Sequence, residues 1–159
     1  MAKSENEKLE QRAKNVLLHQ LSRSMKTRFQ LQEILKKREI PDEIAQLALD
    51  RFTEAQLIDD AVFAAAYVRT RLENGRSVSA IRGELRRKGV AQELIEAELV
   101  GVDSDREQEI ANKLAANRYS RMLNLEAEVR KRRLLGFLQR RGFSQSIAYR
   151  AISNAASQG

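Results

Sequence analysis

Cysteine and tryptophan are absent from this 159-residue chain, and proline and histidine each occur once. Without cysteine there is no disulfide, no thiolate nucleophile and no cysteine-ligated zinc. The lone His19, beside Leu17 and Leu18 and without a matched carboxylate set, makes no metal site. Neither metal nor cofactor is expected. Aromatic residues make up only 5% of the chain, which predicts a core of Leu, Ile, Val and Ala. No apolar run approaches the roughly 18 residues that cross a bilayer, and the opening MAKSENEKLEQ lacks the apolar stretch of a secretory leader. A cytoplasmic protein with no membrane partner is expected. Glycine-rich phosphate loops, nucleophile–base sets and metal-ligand spacings are also missing, so no enzyme activity is expected.

What the chain has in excess is positive charge: 29 Lys and Arg against 22 Asp and Glu, a formal net charge of +7. The excess is uneven, with +2 over residues 1–56, −1 over 57–103 and +6 over 104–159. A basic balance suits a polyanion or an acidic protein surface. The last third is the strongest single candidate for such a contact.

The stretch LRRKGV, residues 85–90, returns fifty-three residues later as LQRRGF, residues 138–143, and a looser copy, LKKREI, occupies residues 35–40. Three copies at a nearly constant period indicate a repeat. In the middle copy, Ile81, Leu85, Val90, Leu94, Ile95 and Leu99 have helical spacing with a register break at Gly89. Two helices are therefore expected there, from about Ser77, as N-cap, to Lys88, and from about Gln92 to Val100. Gly89 and Gly142 sit where a helix-ending residue takes positive φ without a Cβ penalty, and Ser144 caps the helix that follows. Glu39 holds the equivalent place in the first copy, so that turn either differs or carries strain of about 1 kcal/mol. Pro41 is expected in the first turn of the next helix. A third helix precedes each pair: Ser4-Glu5-Asn6-Glu7 and Ser104-Asp105-Arg106-Glu107 read as capping boxes, Asp59 as the cap of the middle one, and Asn74 and Gly75 as its end. The expected fold is all-α, with three tandem three-helix repeats over residues 1–56, 57–103 and 104–159. Together they would form nine helices stacked into an elongated solenoid that can curve.

The densest basic run is residues 128–142, EVRKRRLLGFLQRRG. Arg130, Lys131, Arg132 and Arg133 span more than a quarter of the helix circumference, so they cannot all face a core defined by Leu134 and Leu138. With Arg140 they are candidates for contact with phosphates or acidic side chains; the plainer alternative is a solvated helix face. Arg82, Arg86 and Arg87 are a second candidate group, although Glu84 can pair with Lys88 and helix C-termini favour cations regardless. Phe63, Tyr67, Ile81, Leu85, Leu94 and Leu99 have the spacing of core residues, and the Ala64-Ala65-Ala66 run suits close helix approach.

The ordered string Leu57-Ile58-Asp59-Asp60-Ala61-Val62-Phe63-Ala64, then Ala66-Tyr67-Val68-Arg69, Arg71, Gly75, Ile81, Glu84-Leu85 and Lys88-Gly89-Val90 resembles the central module of the RecX family of bacterial recombination regulatory proteins. Leu21-Ser22-Arg23, Thr27-Arg28, Leu31, Leu35 and Lys37-Arg38 resemble its opening module; Leu134, Leu138, Arg141-Gly142-Phe143 and Ile147 resemble its last. The opening module of the family usually reads Ser-Arg-x-Glu-Leu with Lys-Gly at the turn, where this chain has Thr27-Arg28-Phe29-Gln30-Leu31 and Arg38-Glu39. The resemblance implies a three-unit, nine-helix protein that binds the RecA recombinase filament, in its groove or at its growing end, and lowers its ATPase, strand-exchange and co-protease activities; a monomer is expected, with weak DNA contact through its basic surface. The alternative is a stand-alone basic DNA-binding helical protein. Against sequence reading by the middle unit, the helix after Gly89, AQELIEAEL, is acidic.

Overall fold

The structure, a computed structural model, describes residues 4–158. Met1, Ala2 and Lys3 of the opening stretch and the terminal Gly159 lie outside the described residues. Among the described residues there are nine helices and no strand: α1 Glu5–Arg23, α2 Arg28–Lys37, α3 Asp42–Glu54, α4 Asp60–Glu73, α5 Val78–Arg87, α6 Gln92–Leu99, α7 Ser104–Tyr119, α8 Ala127–Arg140 and α9 Gln145–Gln158. None of these nine helices is long and apolar enough to cross a membrane.

Local chemistry sets the helix ends. Ser77 accepts from the Ala80 amide at 3.0 Å, Asp59 from the Ala61 and Val62 amides, and Ser144 from the Ile147 amide, each satisfying a first-turn N–H that has no intrahelical partner. At α2, Thr27 and Gln30 form a reciprocal capping box, in which Gln30 accepts from the Thr27 amide at 3.0 Å. Three expected ends are corrected. Pro41 is the N-cap of α3 rather than its first helical residue. Ser4 caps α1 through the Glu7 amide, but Glu7 returns no bond to it. Asp103, one residue before the expected Ser104, caps α7 through the Arg106 amide at 2.8 Å. Asp103 takes that role because its carboxylate also complements the helix dipole, and Glu107 is thereby left for another helix.

Tertiary contacts divide the chain into two compact units, Met1–Ala66 with Leu85–Ile95, and Tyr67–Glu84 with Glu96–Gly159. The core of the first is built on Ala13, Leu17, Leu31, Leu35, Ala45, Leu49, Phe52 and Ile58. That of the second uses Ala111, Ala115, Leu134, Phe137, Leu138, Phe143, Ala148, Ala151 and Ile152. Leucine and alanine dominate both, and each fully buried leucine contributes about 1.5–3 kcal/mol.

Each unit contains the same junction, in which the start of one repeat's middle helix meets the next repeat. In the first unit the Thr27 hydroxyl donates to the Lys88 carbonyl at 2.6 Å, and the Arg28 amide donates to Asp60 at 2.9 Å. In the second unit the Ser77 amide donates to the Arg141 carbonyl at 3.1 Å, and the Val78 amide to Glu107 at 2.8 Å. Thr27 and Ser77 are both fully buried. Gly89 and Gly142 lie in these junctions at φ +81° and +97°; an added Cβ would overlap Phe29 at the first and Ser77 and Ala80 at the second. Glu39 also adopts a left-handed conformation, at φ +61°, but it is exposed. The glycine at the later turns therefore answers two demands, backbone conformation and close approach, whereas the exposed Glu39 answers only the first.

Candidate anion-binding site

Five arginines, Arg71, Arg76, Arg118, Arg140 and Arg141, line an open cleft of about 380 Å³ around Phe137 in the second unit. They come from the end of α4, the α4–α5 turn, the end of α7 and the end of α8. The turn is docked by crossed bonds: Arg76 Nη1 donates to the Arg140 carbonyl at 3.1 Å, and Arg141 Nη1 to the Asn74 carbonyl at 2.6 Å. These bonds also satisfy carbonyls that helix ends leave without amide partners. Phe137 is buried, and the Arg118 and Arg141 guanidinium carbons lie 4.1 and 5.2 Å from its ring centroid. Cation–π attraction of this kind holds a guanidinium without consuming its charge.

Only Arg71 among the five has a carboxylate partner within the described residues. Its Nη2 lies 2.7 Å from Glu84 Oε1, which also accepts from the Tyr67 hydroxyl at 2.9 Å. Burial, then the Glu84 carboxylate, raises the Tyr67 phenol above its ordinary value, so it remains a neutral donor at physiological pH. Glu84 Oε2 is buried with no hydrogen-bond partner among the described residues. With one carboxylate against five guanidiniums, the cleft carries a local excess of four positive charges. Guanidinium forks match phosphate or carboxylate oxygens, and such an arrangement binds anions.

Of the expected site residues, one belongs to this cleft. Arg140 lines it. Arg130 turns toward Tyr119, 5.0 Å from the ring centroid, and donates to the Leu123 carbonyl at 3.3 Å; Lys131 lies 5.7 Å from the Tyr149 ring centroid. Lys131, Arg132 and Arg133 are exposed, as are Arg86 and Arg87 at the end of α5. Arg82 is engaged by Glu96 at 2.7 Å, and that hydrogen bond raises its guanidinium further above an already high value. Glu84, the expected partner of Lys88, accepts from Arg71 and Tyr67. Arg76, Arg118 and Arg141 were not among the expected site residues, and Arg71 was balanced evenly between a contact and a structural role, because the cleft joins segments remote in sequence. Arg71 and Arg141 nevertheless lay within the recognised string and beside the recurring glycine.

Comparison with known proteins gives the chain its relatives. Models of the first, second and third three-helix domains of RecX match residues 13–52, 59–99 and 105–152. The regulatory protein RecX of Thermobifida fusca is 41% identical over 148 residues, covering 92% of this chain and 80% of the relative; that of Streptomyces coelicolor is 40% identical, covering 91% and 78%. The crystal structure of a regulatory protein RecX superposes with a TM-score of 0.76 at 30% identity, covering 94% of this chain and 73% of the other. RecX from Lactobacillus salivarius gives a TM-score of 0.78 at 21% identity, covering 94% and 98%, a likeness of fold. With its three helical modules matched in order and its relatives matched over most of their length, the chain belongs to the RecX family of regulatory proteins.

Proposed function

We propose that this protein binds the RecA nucleoprotein filament and restrains it, lowering ATP hydrolysis, strand exchange and co-protease activity and so modulating recombination and the SOS response. It acts as a cytoplasmic monomer of three helical modules, residues 1–56, 57–103 and 104–159. The observation that carries the reading, beside family membership, is the convergence of five arginines on one cleft with a single compensating carboxylate. A filament of protein and nucleic acid presents the phosphates and carboxylates such a cleft recognises. Lys131, Arg132 and Arg133 extend the cationic surface along α8, with Arg86 and Arg87 as a lesser group and Arg130 and Arg82 held by their own neighbours.

A stand-alone DNA reader is the less favoured function. The second helix of the middle pair, α6 with the sequence QELIEAEL, is acidic where a major-groove reader needs donors for base edges. The deciding experiment is single-stranded-DNA-dependent ATP hydrolysis by preassembled RecA filaments at moderate salt with DNA in excess. Inhibition at amounts well below RecA is expected, because competition for abundant DNA cannot produce it. No inhibition, alongside tight salt-sensitive DNA binding, replaces this reading with the DNA-binding one.

A further inference from the structure

Gly136 stands in the middle of α8, an expensive place for glycine, since a helix-interior glycine costs about 1 kcal/mol relative to alanine. Its φ is not left-handed and no turn requires it. Among the described residues, and beyond the helix's own backbone and the chain neighbours, a Cβ there would meet within 4 Å Nη1 and Cζ of Arg140, at 3.1 and 4.0 Å. The missing side chain is therefore the space in which the Arg140 guanidinium lies, one helical turn back along α8. Arg140 is one wall of the arginine cleft and has no carboxylate partner among the described residues. Glycine here leaves the Arg140 guanidinium room to lie against its own helix.

We propose that this cleft is a phosphodiester-binding site for a nucleic-acid strand, and that Gly136 is a positioning residue which seats Arg140 in it. The inference deepens the filament reading by assigning the cleft's ligand to the strand rather than to the protein part of the filament. Two features favour a backbone phosphate. Arg76 and Arg141 are tethered to backbone carbonyls and Arg118 rests on the Phe137 ring, so the donors are arranged before the ligand arrives. Phe137 is buried beneath two guanidiniums, which leaves its face unavailable for stacking a base. Contact is therefore through charge and guanidinium edges, without sequence preference.

The binding arm of the test needs no RecA. Fluorescence anisotropy of a labelled oligothymidylate, titrated with the full chain across a salt series, reads phosphate contacts directly, because each contributes about −0.7 to the slope of log affinity against log salt on a single strand. Arg118→Gln with Arg140→Gln should reduce the magnitude of that slope by about 1.4 and weaken binding at least tenfold at moderate salt. Gly136→Leu changes no charge and introduces a good helix former, yet places a side chain where Arg140 lies. It should weaken binding at least threefold while the melting temperature is maintained or rises.

Unchanged affinity for folded Gly136→Leu would show that the arginines act as diffuse charge, and would overturn the positioned site. Inorganic triphosphate binding the cleft in the absence of measurable oligonucleotide binding overturns the strand assignment. Oligonucleotide binding that ignores the cleft substitutions, while RecA inhibition is lost through them, overturns this inference and leaves the filament reading intact. The converse pattern, cleft-dependent strand binding without RecA inhibition, sinks the filament reading alone.

Discussion

The two junctions share a backbone plan and differ in what surrounds it. In each, a buried Thr or Ser caps a middle helix, a carboxylate from the following repeat accepts its first amide, and a glycine turn closes against it. In the first, Phe29 fills the approach to Gly89; in the second, the small Ser77 and Ala80 face Gly142. One pair of positions changes even more. Near the end of α4, Arg71 meets Glu84 as an ion pair, whereas near the end of α7, Arg118 meets Phe137 through its ring. The first solution neutralises the arginine and the second preserves its charge. The same scaffold thus holds an ion pair in one place and an uncompensated guanidinium in another.

The most severe test of the shared plan is Gly142→Val. Positive φ and overlap with Ser77 and Ala80 act together, so a loss of about 3 kcal/mol or more is expected, read as a melting-temperature fall of roughly 6–12 °C. Gly89→Val should fall in the same range; an unchanged melting curve in either would refute the close approach. Next come the buried caps. Thr27→Val removes both an amide cap and the donor to the Lys88 carbonyl, at about 1–2 kcal/mol, whereas Ser77→Ala removes only the cap, since the bond to the Arg141 carbonyl comes from the backbone amide, at about 1 kcal/mol. Chemical denaturation of the two variants should rank them in that order.

Glu84→Gln sharpens the contrast between ion pair and ring. It releases the charge of Arg71 into the cleft, so affinity for an oligonucleotide should rise by about twofold to fivefold at low salt, with a steeper salt slope. A weaker binder would mean that Glu84 is needed chiefly to orient Arg71. The smallest effect is expected at the turn without a close neighbour: Glu39→Gly should stabilise the chain by up to about 1 kcal/mol, because it relieves a left-handed conformation and the exposed Glu39 side chain makes no hydrogen bond or ion pair among the described residues. Destabilisation of similar size would show that the glutamate side chain has a structural task.

Much of this fold was legible because it is written locally. Helix caps at Ser77, Asp59 and Ser144, the positive φ of Gly89 and Gly142, and the aliphatic core all follow from short-range patterns. The misplaced ends have the same origin. Ser104 looked like a cap until Asp103 took the amide, and Glu107 caps α5 from a distance that no local motif encodes. Gln56, at φ +61°, ends α3 in a left-handed conformation without the glycine or asparagine that would have signalled it. For the candidate cleft, net charge pointed to the last third, where Arg140 was singled out from the sequence. The cleft itself was not, because Arg71, Arg76 and Arg118 converge only after the Asn74–Ser77 turn docks on the end of α8. Periodicity could show that Arg130, Lys131, Arg132 and Arg133 do not all face a core, but not that Arg130 would turn to Tyr119.

The central claim is that the second junction, rather than basic charge in general, carries the regulatory contact. Its most direct measurement is inhibition of preassembled RecA filament ATPase by two charge-matched double variants, Arg118→Gln with Arg140→Gln and Arg86→Gln with Arg87→Gln, each first shown to melt like the parent. The account predicts that the cleft pair raises the half-inhibitory concentration at least tenfold and the α5 pair by less than about threefold. Equal loss in both, or a greater loss in the α5 pair, would contradict it.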